Sequence, residues 1–274
     1  MIYAAPILVF LLLVAPGLRL LALASRTRRT PELWCGLYFV GAAIGLSLRV
    51  AGASLLLEDP ARAEQLNVAG HLGLASGTIA MAIFTLQVFH PGHVVARFFA
   101  ATTIGLIIAT SCHTLLGGWV LREDSLSMIA TNALRIVPTA WAFYESFRYW
   151  RSMRRRLALG LADPVVTNRF LLWTIWSGGV SLLPLIALGV RVLSVTFLGP
   201  EGYTARAAEL LPPAMTAIRI LFLLIVPVTV AALFLSFFPP KRYLDLPSEI
   251  GYGPPGDQDA ISFQLADQLA TALG

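Results

Sequence analysis

Among the arginines of this 274-residue chain that lie inside apolar stretches are Arg49 in LSLRVAG, Arg135 in NALRIVP, Arg191 in LGVRVLS and Arg219 in AIRILFL. A guanidinium is a planar fork of donors that matches carboxylate or phosphate at two points. In hydrocarbon each one costs about 2.5–3.5 kcal/mol on insertion scales, so each demands an acceptor or water. Three kinds of partner are conceivable. The side chains can snorkel outward to headgroups or to Glu58, Asp59, Glu123, Asp124 and Glu201, tying helix ends together. They can line a cavity whose missing anion is a ligand, or they can bond carbonyls released by Pro138 and Pro184. His113, in TSCHTLL, joins these arginines as a candidate ligand-binding residue, and His71 is expected near the outer mouth of the third apolar stretch.

The remaining chemistry-bearing residues offer less. His90 and His93, in HPGH, form a His-x-x-His pair with Pro91 between them and no acid nearby in sequence, which reads as interfacial histidine rather than metal ligand. Cys112 and His113 are adjacent and point apart on a helix, so they make no site by themselves. Cys35 and Cys112 both fall in apolar segments, where they read as small core residues rather than a disulfide. No metal site, no cofactor-binding motif and no catalytic constellation of acid pairs, Ser/His/Asp or phosphate-binding glycines is read from the chain.

These groups need elements to hold them, and composition names the class. The chain is 57% hydrophobic and 13% charged, with a mean hydropathy of +0.75 and a pI near 9.6. Soluble domains carry roughly 25% charged residues, so the expected fold is an all-α integral membrane protein. In that setting the basic balance orients the chain and meets anionic lipid, and nucleic acid is not implied.

Seven stretches offer the roughly 20 apolar residues that a span needs. They run near Tyr3–Leu23, Leu33–Leu57, Ala69–Phe89, Phe98–Val120, Met128–Trp150, Phe170–Leu198 and Ala214–Phe238. The first has its arginines after the apolar run, which reads as a retained helix rather than a cleaved leader. Arg26, Arg28, Arg29, Arg97, Arg148, Arg151, Arg154, Arg155, Arg156, Arg169, Lys241 and Arg242 fall on one side of the seven spans. Arg62, Arg122 and Arg206 fall on the other. The positive-inside rule therefore predicts a cell-membrane protein with its N-terminus outside and its C-terminus in the cytoplasm. Counted from the outer ends at 1.5 Å per residue, Arg49, Arg135 and Arg191 lie roughly 10 Å deep, with Arg219 somewhat shallower.

Residues 1–242 are thus expected to form the transmembrane domain, and 243–274 a flexible cytoplasmic tail. Pro and Gly dominate LDLPSEIGYGPPGDQD, and Ile261, Leu265 and Leu269 give the last stretch the spacing of a short amphipathic helix. In the loop RSMRRRLALGLADPVVTNRF, Asp163 followed by Pro164 predicts a capped helix start. Its arginines, Arg151 to Arg156, are expected on phospholipid or on a cytoplasmic signalling partner, as is the tail. Trp34, Trp119, Tyr149, Trp150 and Tyr203 fall at predicted boundaries as interfacial belts, while Trp141, Trp173 and Trp176 lie deeper, where they pack helices or wall a pocket. The small residues in GAAIGLS, GLASGTIA and WSGGVS predict close helix contacts.

A faint repeat links LRVAGASLLLEDPARAEQL to VRVLSVTFLGPEGYTARAAEL, and the following helices end in FHPG and FFPP. That spacing predicts two parallel three-helix units joined by the fourth helix. The layout resembles, in topology alone, that of microbial opsins and of sugar-efflux carriers of the SWEET type. The opsin resemblance implies a Schiff-base lysine in the seventh helix. That region reads LIVPVTV, and the single lysine, Lys241, lies beyond it, so retinal chemistry is excluded. Two functions remain: a membrane-embedded sensor or binding protein for a small anionic or amphiphilic ligand entering from the outer side, and a carrier for a small organic anion. A membrane enzyme trails both.

Overall fold

The computed structural model describes residues 4–56, 58–118, 126–159, 161–202, 220–221 and 224–237. Six long helices appear in order: α1 (Ala4–Thr27), α2 (Thr30–Leu55), α3 (Pro60–Phe89), α4 (Val94–Leu116), α5 (Leu126–Ala158) and α6 (Pro164–Gly202). A shorter apolar helix, α7, covers Leu224–Phe237. No strand occurs among the described residues, and five of the helices, α1 to α4 and α6, are long and apolar enough to cross a membrane. The arrangement is that of a helical membrane bundle. α5 is of spanning length too, but Arg135, Glu145, Arg148 and the arginines after them make it more polar.

Helix starts differ from the sequence expectation in one informative place. The run from Pro60 to Val68, expected as loop, is helical: Asp59 accepts a hydrogen bond from the Arg62 amide at 3.0 Å, and Pro60 fills the first helical position. The same Asp-Pro device starts α6, where Asp163 Oδ1 accepts from the Val165 amide at 2.7 Å. A cap at Asp59 therefore adds more than two turns to the third helix. α4 is also displaced from its expected range, beginning at Val94 and ending at Leu116.

α3 is the hub. It packs against α2, α4 and α5, while α1 packs on α2 and α6 on α5. α7 seats between α2 and α6, through Phe237 against Phe39 and Trp173, with ring centroids 5.6 Å apart in both pairs. α4 lies in the groove between α3 and α5, so Val94, Val95, Phe98, Leu106, Ile108 and Leu116 on its outer face remain exposed, as suits a lipid-facing helix.

Two cores share one end of the bundle, the end where the α1–α2, α3–α4 and α5–α6 connections gather the arginines. The larger joins Leu20, Tyr38, Phe39, Met81, Trp176 and Leu233 from five helices. Trp173 and Trp176 pack there with centroids 4.8 Å apart, so these tryptophans join helices rather than wall a pocket. The smaller joins Phe89, Tyr149, Met153, Val166 and Phe170. Tyr149, expected in an interfacial belt, is instead buried with its ring 4.4 Å from Phe170. It sits on the inward face of α5, a property that depth alone does not reveal.

The closest approach of one helix backbone to another is between α2 and α3. A side chain at Gly41 would begin 2.8 Å from the Gly73 oxygen and the Gly77 Cα, and one at Gly45 would begin 2.6 Å from the Leu74 nitrogen. Backbone faces backbone, which is how membrane helices gain dispersion contact where burial from water supplies no drive. Gly41→Leu or Gly45→Leu should therefore destabilise the protein by about 1–3 kcal/mol or more through overpacking. Gly105→Ala on α4, where nothing lies within 4 Å, should change it by less than about 0.5 kcal/mol. Thermal unfolding in detergent measures both.

Candidate functional site

The close approach of α2 and α3 brings Arg49 and His71 together at their contact. At Gly70 a Cβ would lie 2.7 Å from Arg49 Cγ, so the missing side chain leaves the space through which the Arg49 stem passes. The next residue, His71, is fully buried. Arg135 reaches it from α5, donating from Nη2 to the His71 carbonyl oxygen at 2.9 Å. Arg49 and Arg135 both lie within electrostatic range of His71 and of each other. Three helices thus converge on one cationic cluster in the half of the bundle away from the aromatic cores.

Within the cluster, Arg135 and His71 are short of partners. Arg135 is 9% exposed, and its Nε and Nη1 have no hydrogen-bond partner among the described residues; neither ring nitrogen of His71 has one either. The carbonyl that Arg135 does reach belongs to α3, not to Leu134, the position whose acceptor Pro138 would release. The proline reading of Arg135 is therefore replaced by an interhelical bond to His71.

Toward the helix ends the cluster runs into a ladder of hydroxyls. Ser127, Thr131 and Arg135 recur every four residues and share one face of α5. Opposite them on α4, His113 Nδ1 lies 3.0 Å from Ser127 Oγ. The Thr114 hydroxyl lies 2.8 Å from that of Ser127 and 3.1 Å from that of Thr131. Thr131 also donates to the Ser127 carbonyl and Thr114 to the Thr110 carbonyl, each at 2.8 Å. Thr114 and Thr131 are fully buried, whereas His113 is exposed.

Of the predicted ligand-binding residues, Arg49 and Arg135 come together. His113 stands apart, at the exposed end of the hydroxyl ladder. Arg191 lies within α6, but its side chain falls outside the described residues, as does the whole of Arg219. The second copy of the repeated pattern follows α6 as far as Gly202, and its remainder, 203–210, lies outside the described residues. The residue that sequence reasoning left out of the site is His71. With α3 starting at Pro60, His71 sits three turns into the helix rather than near its mouth. Recognising Asp59-Pro60 as a cap would have placed it.

A second polar group forms at the arginine-rich end. His90 Nε2 lies 2.9 Å from Glu145 Oε1, and Arg148 Nη1 lies 3.7 Å from Glu145 Oε2. The His90 ring stacks on Trp141, centroids 5.8 Å apart at 17°. The HPGH turn therefore does have an acid beside it, across the bundle on α5 rather than nearby in sequence. Among the described residues no group of three His, Cys, Asp or Glu is placed to hold a metal.

No protein-family model, no curated protein and no solved structure matches the chain. What can be said of its chemistry comes from its own geometry. The ladder gives a direct check. Thr114→Val removes the hydroxyl shared by Ser127 and Thr131 at a buried position and should cost about 1–3 kcal/mol. Cys112→Ala, on the exposed face of the same helix, should leave the thermal midpoint unchanged.

Proposed function

We propose that the chain is a membrane-embedded sensor or binding protein for a small anionic or amphiphilic ligand that enters from the outer side. The observation that carries this reading is Arg135. It is an almost fully buried guanidinium whose Nε and Nη1 have no partner among the described residues, beside a buried imidazole whose nitrogens have none among them either. The two arginines, Arg49 and Arg135, lie within electrostatic range and repel one another, and an anion between them would turn that repulsion into attraction. A carboxylate or phosphate oxygen would supply the acceptors that Arg135 lacks among the described residues. Arg191 and Arg219 belong to the same proposal through their calculated depth alone, and His113 through the ladder that leads to Arg135.

In this reading the bundle has seven spans, the arginine-rich end faces the cytoplasm and the cationic cluster opens outward. Support comes from the basic asymmetry of the connections. A reporter fused after Gly274 should be active in the cytoplasm, and a cysteine replacing Glu58 should react with an impermeant maleimide from outside. An external C-terminus would overturn the orientation and the route of entry.

Binding is tested by thermal unfolding of the wild type and of Arg49→Gln, Arg135→Gln and Arg191→Gln, with and without carboxylates, organic phosphates and fatty acids. Each lost charge-assisted contact should lower anion affinity roughly ten- to a hundredfold. The unliganded Arg135→Gln variant should stay folded, because glutamine removes a buried charge whose desolvation opposes folding. If no anion raises the wild-type midpoint and all three variants unfold earlier, the arginines are helix tethers and the reading fails. Net uptake of a stabilising anion into proteoliposomes would identify a carrier, whereas saturable binding without accumulation identifies a sensor.

A further inference from the structure

At the arginine-rich end, α5 continues well past the apolar part of its sequence, to Ala158. Its inward side there is held by Tyr149 and Met153, buried against Val166 and Phe170 of α6. The outward side changes character abruptly. Phe143, Tyr144 and Phe147 are exposed apolar rings, 38%, 59% and 36% accessible. One turn further on, Arg151, Arg154 and Arg155 are exposed cations.

The two sets are joined by stacking. Phe143 and Phe147 lie nearly parallel, centroids 6.1 Å apart at 19°, and Phe147 meets Trp150 at 5.7 Å. The Arg151 guanidinium lies 5.8 Å from the Phe147 ring, and that of Arg154 lies 5.7 Å from the Trp150 ring. Positions 143, 147, 150, 151 and 154 fall on one face of a helix with 3.6 residues per turn. The rings hold the guanidiniums by cation–π contact, and less side-chain freedom is left to lose on binding. Among the described residues no carboxylate lies within ion-pair distance of Arg151, Arg154 or Arg155. Glu145 on the buried side is taken by His90 and Arg148, and Asp163 by the α6 cap.

We infer that this face of α5 is a binding site for an anionic phospholipid. The acyl chains lie along Phe143, Tyr144 and Phe147, and the phosphate meets the ring-backed forks of Arg151 and Arg154, with Arg155 beside them. A peripheral protein would not need an apolar ladder continuing into the membrane, and free phosphate would make no use of it. The lipid has both halves. The site is about 24 Å along α5 from Arg135, so it stands independently of the anion cluster.

The test uses the full-length protein, purified in detergent and titrated with phosphatidylglycerol or phosphatidylcholine, with retained lipid counted by native mass spectrometry. Phosphatidylglycerol should be retained by the wild type and phosphatidylcholine much less. Arg151→Gln with Arg154→Gln should weaken phosphatidylglycerol retention roughly thirtyfold, about fivefold for each charge near an anionic surface. Arg151→Lys with Arg154→Lys keeps the charge but loses the planar fork and should fall between the two. Phe147→Leu should weaken retention with every charge intact. Inorganic phosphate at millimolar concentration should not displace the lipid. All the substituted side chains are exposed or half-exposed, so the variants should fold. Equal retention by wild type and the double glutamine variant would overturn the site, as expected if these arginines dock a protein. So would full retention by the double lysine variant together with Phe147→Leu, or displacement by phosphate alone.

Discussion

Backbone contact between α2 and α3 is the constraint from which most of this structure follows. In a bilayer, lipid tails compete for apolar side chains on equal terms, so helices associate through close packing and through polar groups that find each other. Gly41, Gly45, Gly73 and Gly77 remove the side chains that would hold the two backbones apart. Once they touch, Gly70 can accept only the stem of Arg49, and the backbone carbonyl of His71, at the next position, accepts from Arg135 of α5. The cationic cluster is therefore a product of glycine placement as much as of arginine placement. A larger residue at Gly70 would dismantle it without touching a charge.

The two ends of the bundle are built from different materials. Near the arginine-rich connections, aromatic rings from α2, α6 and α7 interlock, with Phe39 5.0 Å from Trp176 and 5.6 Å from Phe237. Toward the other end the contacts between helices are polar: Asn67 and His71 on α3, Thr114 on α4, and Ser127, Thr131 and Arg135 on α5, all buried. Interlocked rings resist rearrangement, because each has neighbours on every side. Hydroxyl pairs can exchange partners, since each group both donates and accepts. Any motion coupled to a ligand would thus be easier at the polar end, with the aromatic end acting as its fixed base.

Much of this was legible in the sequence, and the misses have definite causes. Counting residues from helix ends brought Arg49 and Arg135 to one level, and small-residue spacing marked the glycine contact. Asp163-Pro164 was readable as a helix start. Asp59-Pro60 carries the same signal, but hydropathy obscured it, because Arg62, Glu64 and Gln65 make the first turns of α3 look like loop. That error hid the depth of His71. The pairing of His90 with Glu145 joins residues far apart in sequence and needs the α3–α5 contact, which no local pattern encodes. Tyr149 shows that depth and facing are separate questions. Hydropathy answers the first, and the second needs the position of neighbouring helices.

The shortest connection has a bearing on how the protein is made. Only Arg28 and Arg29 separate α1 from α2, and Arg28 adopts a left-handed conformation, with φ of 57°, to reverse the chain. A turn so tight leaves no slack for α1 to enter the bilayer well ahead of α2. The pair enters as a hairpin, with two arginines at its crest. Entering together, the apolar residues of both helices share the cost of carrying Arg49 into hydrocarbon. That cost arises before α3 and α5 have been delivered to meet it.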